Sequence, residues 1–211
     1  MAQKIFDVTR PISPQLAVWP GDNPFSTQQQ LNMDQGHSVN LTTLTLSSHT
    51  GTHVDAYYHF VRTGQPLEQM PLTAYIGPAS VITVQRRAGP LTVDDFADLD
   101  WNPIERLLVH SAASDCPLSQ FPQEFVYPSP DLADFLGGHG IVLFGSDAPS
   151  MDHLDSKSLP GHNALRRNRI AILEGLFLAG VPDGDYELVA LPLLIEGGDG
   201  SPVRAVLRTM A

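Results

Sequence analysis

Residues 49–59 read HTGTHVDAYYH and place His49, His53, Asp55 and His59 close together in a chain that holds 8 histidines in all. Neutral imidazole nitrogen and carboxylate oxygen are the usual donors to zinc in catalytic sites, where an open position binds water and brings its pKa to about 7. An aspartate can bridge two ions with its two oxygens, whereas a histidine ordinarily binds one. The set therefore serves two ions only if a second carboxylate arrives from elsewhere. Glu174 is the candidate, because it interrupts RIAILEGLFL, a run whose other members from Ile170 to Leu178 are apolar or glycine. A carboxylate there is costly to bury unless it is paired or on a metal. His162, in SLPGHNAL, follows Pro160 and Gly161, which suggest the start of a helix pointing its first turn at something. A polar loop whose histidines merely satisfy backbone groups explains one isolated histidine better than it explains this density.

The spacing constrains the element that carries the cluster. On a helix His49 and His53 would share a face, but Asp55 would lie about 200° round from His53. In an extended chain His49, His53, Asp55 and His59 all fall on one face, with Val54 and Ala56 on the other. The alternation in the preceding LTTLTL favours extended structure, and Gly51 marks a bend or bulge part-way. The prediction is a strand end running into a loop. Elsewhere strand signals dominate: VNLTTLTLSS (39–48), ASVITVQ (79–85), ERLLVHS (105–111) and GIVLFGSD (140–147). Thr92 before VDDFADL suggests an N-capped turn, and Ser129-Pro130 before DLADFLGG a capped helix with a glycine end. YELVALPLLI and SPVRAVLRTM, joined by EGGDG, read as an antiparallel pair. With 18 prolines and 17 glycines the chain is cut into short elements, without repeats or a composition break. The expected fold is one strand-rich α/β domain over residues 1–211, with a mixed sheet and few helices.

Charge and composition exclude other classes. The net charge is −11 and Lys plus Arg number 12, so no basic face is available for phosphate, and nucleic acid is not an expected partner. The run LRRNR at 165–169 reads as a solvated helix face. The one cysteine, Cys116, cannot form an internal disulfide, which agrees with a reducing compartment. No apolar run reaches the roughly 18 residues of a membrane span. The start, MAQKIFDVTRPIS, has neither a basic leader nor an apolar h-region, so the expected location is the cytoplasm, with no membrane partner.

HTGTHVDAYYH resembles the H-T-G-x-H-x-D-A-P-x-H signature of the cyclase-like metal-dependent hydrolases, and within that family the chain looks like the bacterial kynurenine formamidases, or arylformamidases. VWPGD (18–22), PLTAYIGPASVI (71–82), GSDAPSMD (145–152), HNALRRNRIAILEG (162–175), and GDYELVALPL with SPVRAVLR near the end also match. The resemblance implies a swivelling β/β/α fold, a homodimer, and two divalent ions per chain, zinc first, with manganese or cobalt also suited to such donors. Carried over by position, it implies that His49, His53 and Asp55 hold the first ion, that His162 binds the second, and that Asp55 and Glu174 bridge both. His59 then matches the general acid/base and Trp19 an aromatic substrate contact.

The implied reaction is hydrolysis of N-formyl-L-kynurenine to L-kynurenine and formate by a metal-held hydroxide, a step of tryptophan breakdown. Two readings compete with it: a related ring-opening amidase resembling isatin hydrolase, and a non-catalytic metal-binding scaffold. One position departs from the signature. Tyr57 stands where proline is usual, and proline would fix the backbone between ligand and acid/base; the Tyr57 phenol is a candidate lining of the substrate pocket. Cys116 has no motif tying it to a histidine, and Ser146 in GSDAPS is not a G-x-S-x-G elbow. Asp147 reads as a turn or supporting residue, and His37, His110, His139 and His153 as turns or strand ends.

Overall fold

In a computed structural model that describes residues 3–102 and 104–210, the aliphatic runs become strands and the two proline-capped segments become helices. In chain order the elements are β1 (Ile5–Asp7), β2 (Ser26–Leu31), β3 (Leu41–Thr45), β4 (His53–Asp55), β5 (Ile76–Thr83), β6 (Gly89–Leu91), β7 (Arg106–His110), β8 (Val126–Pro128), α1 (Pro130–Gly138), β9 (Leu143–Ser146), α2 (Pro160–Arg167), β10 (Ala171–Glu174), β11 (Gly184–Val189), β12 (Gly200–Pro202) and β13 (Val206–Thr209). Nine strands form one sheet in the order β1-β13-β11-β5-β7-β9-β10-β4-β12. Its centre, β5-β7-β9-β10, is parallel, and antiparallel strands flank it on both sides. The mixed α/β architecture expected from the sequence is the one that forms.

The parallel strands are apolar at nearly every position because both of their faces are covered. Leu107, Val109, Phe144 and Ile172 pack with Leu132 and Leu136 of α1 and Leu165 of α2. The alternate residues Leu108, Leu143 and Leu173 join Val54, Val81, Leu188 and Leu207 in a second core. The helix starts follow their capping residues. Ser129 Oγ accepts from the Leu132 N–H at 3.1 Å, and Thr92 with Asp95 forms a capping box over the short turn Val93–Phe96.

Three local expectations change. Gly51 has φ 70 and turns the chain, so β4 begins only at His53; His49 lies on the turn before it, and His59 ends a helical turn, Tyr57–His59, after it. The segment 39–48 forms a strand only over β3, which pairs with β2 alone and has all five side chains exposed. At the C-terminal end β11 does pair antiparallel with β13, from Tyr186 opposite Thr209 to Val189 opposite Val206. The strand does not continue through LPLLI, where Pro192 lacks the N–H that a ladder needs, and EGGDG is not a hairpin turn. It leads into β12, which covers the free edge of β4.

Candidate metal centre

The site is assembled at the antiparallel junction of β4 and β10. Their register sets His53 opposite Glu174 and Asp55 opposite Ile172, so both His53 and Asp55 project on the face that α2 covers, while Val54 and Leu173 point into the other core. The first turn of α2 adds His162. His53, Asp55, His162 and Glu174 are each no more than 4% exposed. On the far side of β4, β12 supplies Gly200, where a side chain would reach within 2.7 Å of His49 Cε1; glycine is what lets the His49 ring lie there.

Four carboxylate oxygens and three imidazoles converge. Asp55 Oδ1 lies 3.0 Å from His49 Nδ1 and 3.4 Å from His53 Nε2, and Asp55 Oδ2 lies 3.5 Å from His162 Nε2. Glu174 repeats the pattern, with Oε2 at 3.4 Å from His53 Nε2 and Oε1 at 3.4 Å from His162 Nε2. Each carboxylate thus offers one oxygen toward His53 and the other toward His162. The remote ring nitrogens of two histidines face acceptors as well: His162 Nδ1 meets Asp152 Oδ2 at 2.7 Å and His53 Nδ1 meets the Gly51 carbonyl at 3.0 Å, whereas His49 Nε2 lies 3.4 Å from Asp199 Oδ2 without a hydrogen bond among the described residues. An acceptor at the remote nitrogen holds the proton there and turns the other lone pair toward the cluster.

Electrostatics point to a cation. Burial opposes charge on His53, yet hydrogen bonds from its ring to Asp55 and Glu174 push its pKa up to about 10. Burial likewise opposes charge on His162, but Asp152, Asp55 and Glu174 hold it well above the usual histidine range. Asp55 is buried too, and His162, His49 and His53 keep it well below the usual carboxylate range. Two buried carboxylates therefore demand positive charge, which either imidazolium or a divalent ion can provide. Asp55 Oδ2 is buried and accepts no hydrogen bond among the described residues, as expected of an oxygen reserved for an ion. The donors His49, Asp55 and His59, and again His53, Asp55 and Glu174, lie within 4.8 Å of one another. All of them are nitrogen or carboxylate oxygen, a set that fits zinc.

A cleft of about 360 Å³ opens onto this cluster and is lined by Trp19, His59, Pro149, Leu159 and Asp22 beside His49, His53, His162 and Glu174. His59 is the most accessible of the cluster histidines, its side chain 36% exposed, with Nδ1 3.8 Å from Asp199 Oδ2. Burial lowers its pKa, more than the nearby Asp55 raises it, which leaves a neutral ring able to accept a proton. Tyr57 does not line the cleft. Its ring is buried in the core and its hydroxyl donates to the Ile170 carbonyl at 3.2 Å, because the helical turn carries side chain 57 away from side chain 59.

His49, His53, Asp55, His59, His162, Glu174 and Trp19 are thus all at one place. Sequence reasoning missed Asp152, which sits in the quoted GSDAPSMD, and Asp199, in the EGGDG connection. A hint for Asp152 is its position ahead of an α2 start that has no Ser, Thr, Asp or Asn of its own to cap it. Asp147 accepts from the Ser111 and Ser114 N–H groups and from Ser111 Oγ and shapes that turn. Arg166 and Arg167 are exposed on α2, Arg167 pairing with Asp134 of α1. Among the described residues no helix is long and apolar enough to cross a membrane.

Comparison with known proteins gives a consistent picture. The family model described as "Putative cyclase" matches residues 6–153. The chain is 45% identical over 206 residues to a kynurenine formamidase of Salinibacter ruber, covering 97% of each. It is 43% identical over 204 residues to a kynurenine formamidase of Geobacillus thermodenitrificans, again covering 97% of each. Among solved structures it is similar to a potential metal-dependent hydrolase with cyclase activity, with a TM-score of 0.84, 30% identity and 100% of both chains covered. Isatin hydrolase A of Labrenzia aggregata shares the fold, with a TM-score of 0.84 at 24% identity, covering 99% of this chain and 94% of that one.

Proposed function

This chain belongs to the Cyclase family, and from that membership we propose that it is a kynurenine formamidase, hydrolysing N-formyl-L-kynurenine to L-kynurenine and formate in tryptophan degradation. The observation that carries this reading is the cleft that joins Trp19 and His59 to the buried cluster, in a chain 45% identical to one such enzyme across its length. His49, His53, Asp55 and Glu174 would hold one divalent ion, and His162 with Asp55 and Glu174 would hold a second. The alternation of each carboxylate between His53 and His162 supports two ions, and the donor types support zinc. Ions held there would supply Lewis acidity toward the formyl carbonyl and a water of lowered pKa near neutral pH.

The residues of the chain do the rest. Trp19 stacks on the aniline ring and sets the formyl group over the cluster. His59 takes a proton from the attacking water and returns it to the aniline nitrogen as the C–N bond breaks, the two halves of general acid/base catalysis. Asp199 faces both His59 and His49 and restrains their rings. The chain acts as one domain in the cytoplasm, as a homodimer.

The test is direct. Formate release from N-formyl-L-kynurenine is measured beside the ring opening of isatin, with metal analysis of the same sample. Turnover of the formamide with about two zinc-type ions per chain is the expected result. Opening of isatin without formate release overturns the substrate, and fewer than about one ion per chain overturns the two-metal centre.

A further inference from the structure

Leu159 breaks three local rules at once. It is the N-cap of α2, a position that favours Ser, Thr, Asp or Asn; it precedes Pro160; and its backbone is left-handed, φ 45 and ψ 56, where bulky side chains are rarely found. Among the described non-glycine residues only Arg169 shares a positive φ, and Arg169 follows the end of α2, where a left-handed residue is ordinary. Leu159 does not cap its helix. Asp152 does so in its place, with Oδ1 accepting from the Gly161 N–H at 2.7 Å and Oδ2 from the His162 N–H at 3.0 Å.

The left-handed conformation is held on both sides. The Leu159 N–H donates to Ser156 Oγ at 3.2 Å, and its carbonyl accepts from the Asn163 N–H at 3.0 Å and from Asn163 Nδ2 at 2.9 Å. Glycine would make the same three backbone contacts with less strain. What leucine adds is its side chain, on a residue that lines the cleft with Trp19 and Pro149. Strain of this kind persists where the surrounding structure enforces it, and it gathers at ligand sites.

We propose that Leu159 is a specificity-determining residue, a strained N-cap leucine that presents an apolar wall to the aromatic ring of the substrate. The role rests on the formamidase reading. In Leu159→Gly the backbone is relieved, so the melting temperature is not lowered and bound metal is unchanged. KM for N-formyl-L-kynurenine rises about ten-fold, the worth of a lost apolar pocket contact, with kcat changed less than about two-fold. Leu159→Met, which keeps an apolar chain of similar volume, restores the wild-type KM. An unchanged KM in Leu159→Gly overturns the role, and so does an equal rise for a small aliphatic formamide that has no ring. A lowered melting temperature with unchanged KM assigns the leucine to packing and equally overturns it. Absence of formate release by the wild-type protein overturns the reaction and this role together, and it is seen before any substitution is made.

Discussion

Asp55 is the residue on which the cluster closes, because its two oxygens face His49 and His53 on one side and His162 on the other. Removing it leaves Glu174 buried beside imidazoles with half of the negative charge gone. Asp55→Ala is expected to lose bound metal and to cost about 3 kcal/mol or more of stability, as breaking a buried ionic set does. Full metal content in that variant contradicts the bridging role. His59 differs because it is more exposed and meets the cluster mainly through the His49 ring, with centroids 3.9 Å apart. His59→Ala should therefore keep its metal and lose a factor of about 100 or more in kcat, the usual worth of a general acid/base. Tyr57 separates backbone from side chain in the same segment. It opens a helical turn, where proline fits, but its ring fills the core. Tyr57→Pro is expected to keep metal yet lose about 3 kcal/mol in urea unfolding, the scale of deleting a buried aromatic ring; unchanged stability contradicts that account.

At the scale of elements, the candidate donors that the structure brings together were legible in the sequence and their supports were not. His49, His53, Asp55 and His59 lie in one short stretch, and Glu174 betrays itself as the charge in an apolar strand. Asp152 and Asp199 look like ordinary loop acids, and only the packing of α2 on the sheet and of β12 beside β4 gives them partners. The C-terminal reading held only in part for a related reason: alternation in SPVRAVLRTM marks a strand, but does not say that Ser201 and Pro202 pair with β4 while Val206–Thr209 pair with β11. Asp152 tests how far such a support matters. In Asp152→Asn the amide oxygen can still accept from the Gly161 N–H, but the amide nitrogen cannot accept from His162 Nδ1. The His162 tautomer is then no longer fixed, and metal affinity should fall about 10- to 100-fold with little change in helix content. Competition with a chromophoric chelator reads the first quantity and circular dichroism the second. Wild-type affinity in this variant removes Asp152 from the site.

For the whole molecule, the centre of the sheet was legible because buried parallel strands are apolar at nearly every position, whereas in the hairpin β2–β3 only 39–48 was read as strand, and its partner β2 was not. Its alternation of leucine and threonine announces a surface that needs covering without naming what covers it. Leu41 and Leu44 are 52% and 57% exposed, with Val39 at 49% and Met33 at 57%. Leu41 and Leu44 project to opposite faces of the ribbon, and a two-stranded ribbon is marginal in water by itself. The segment LPLLI, which the sheet releases after β11, leaves Leu193 63% and Leu194 87% exposed. Aliphatic side chains in these numbers, on a chain with net charge −11, are best covered by a second copy, since like-charged protomers associate only where apolar surface outweighs repulsion. Light scattering should give the mass of two chains for the wild type. The pair Leu41→Asp and Leu44→Asp, lying in a ribbon that contributes nothing to either core, should give the mass of one chain with metal content unchanged. A wild-type protein that stays single at micromolar concentration, or a double variant that stays paired, removes the hairpin from the interface.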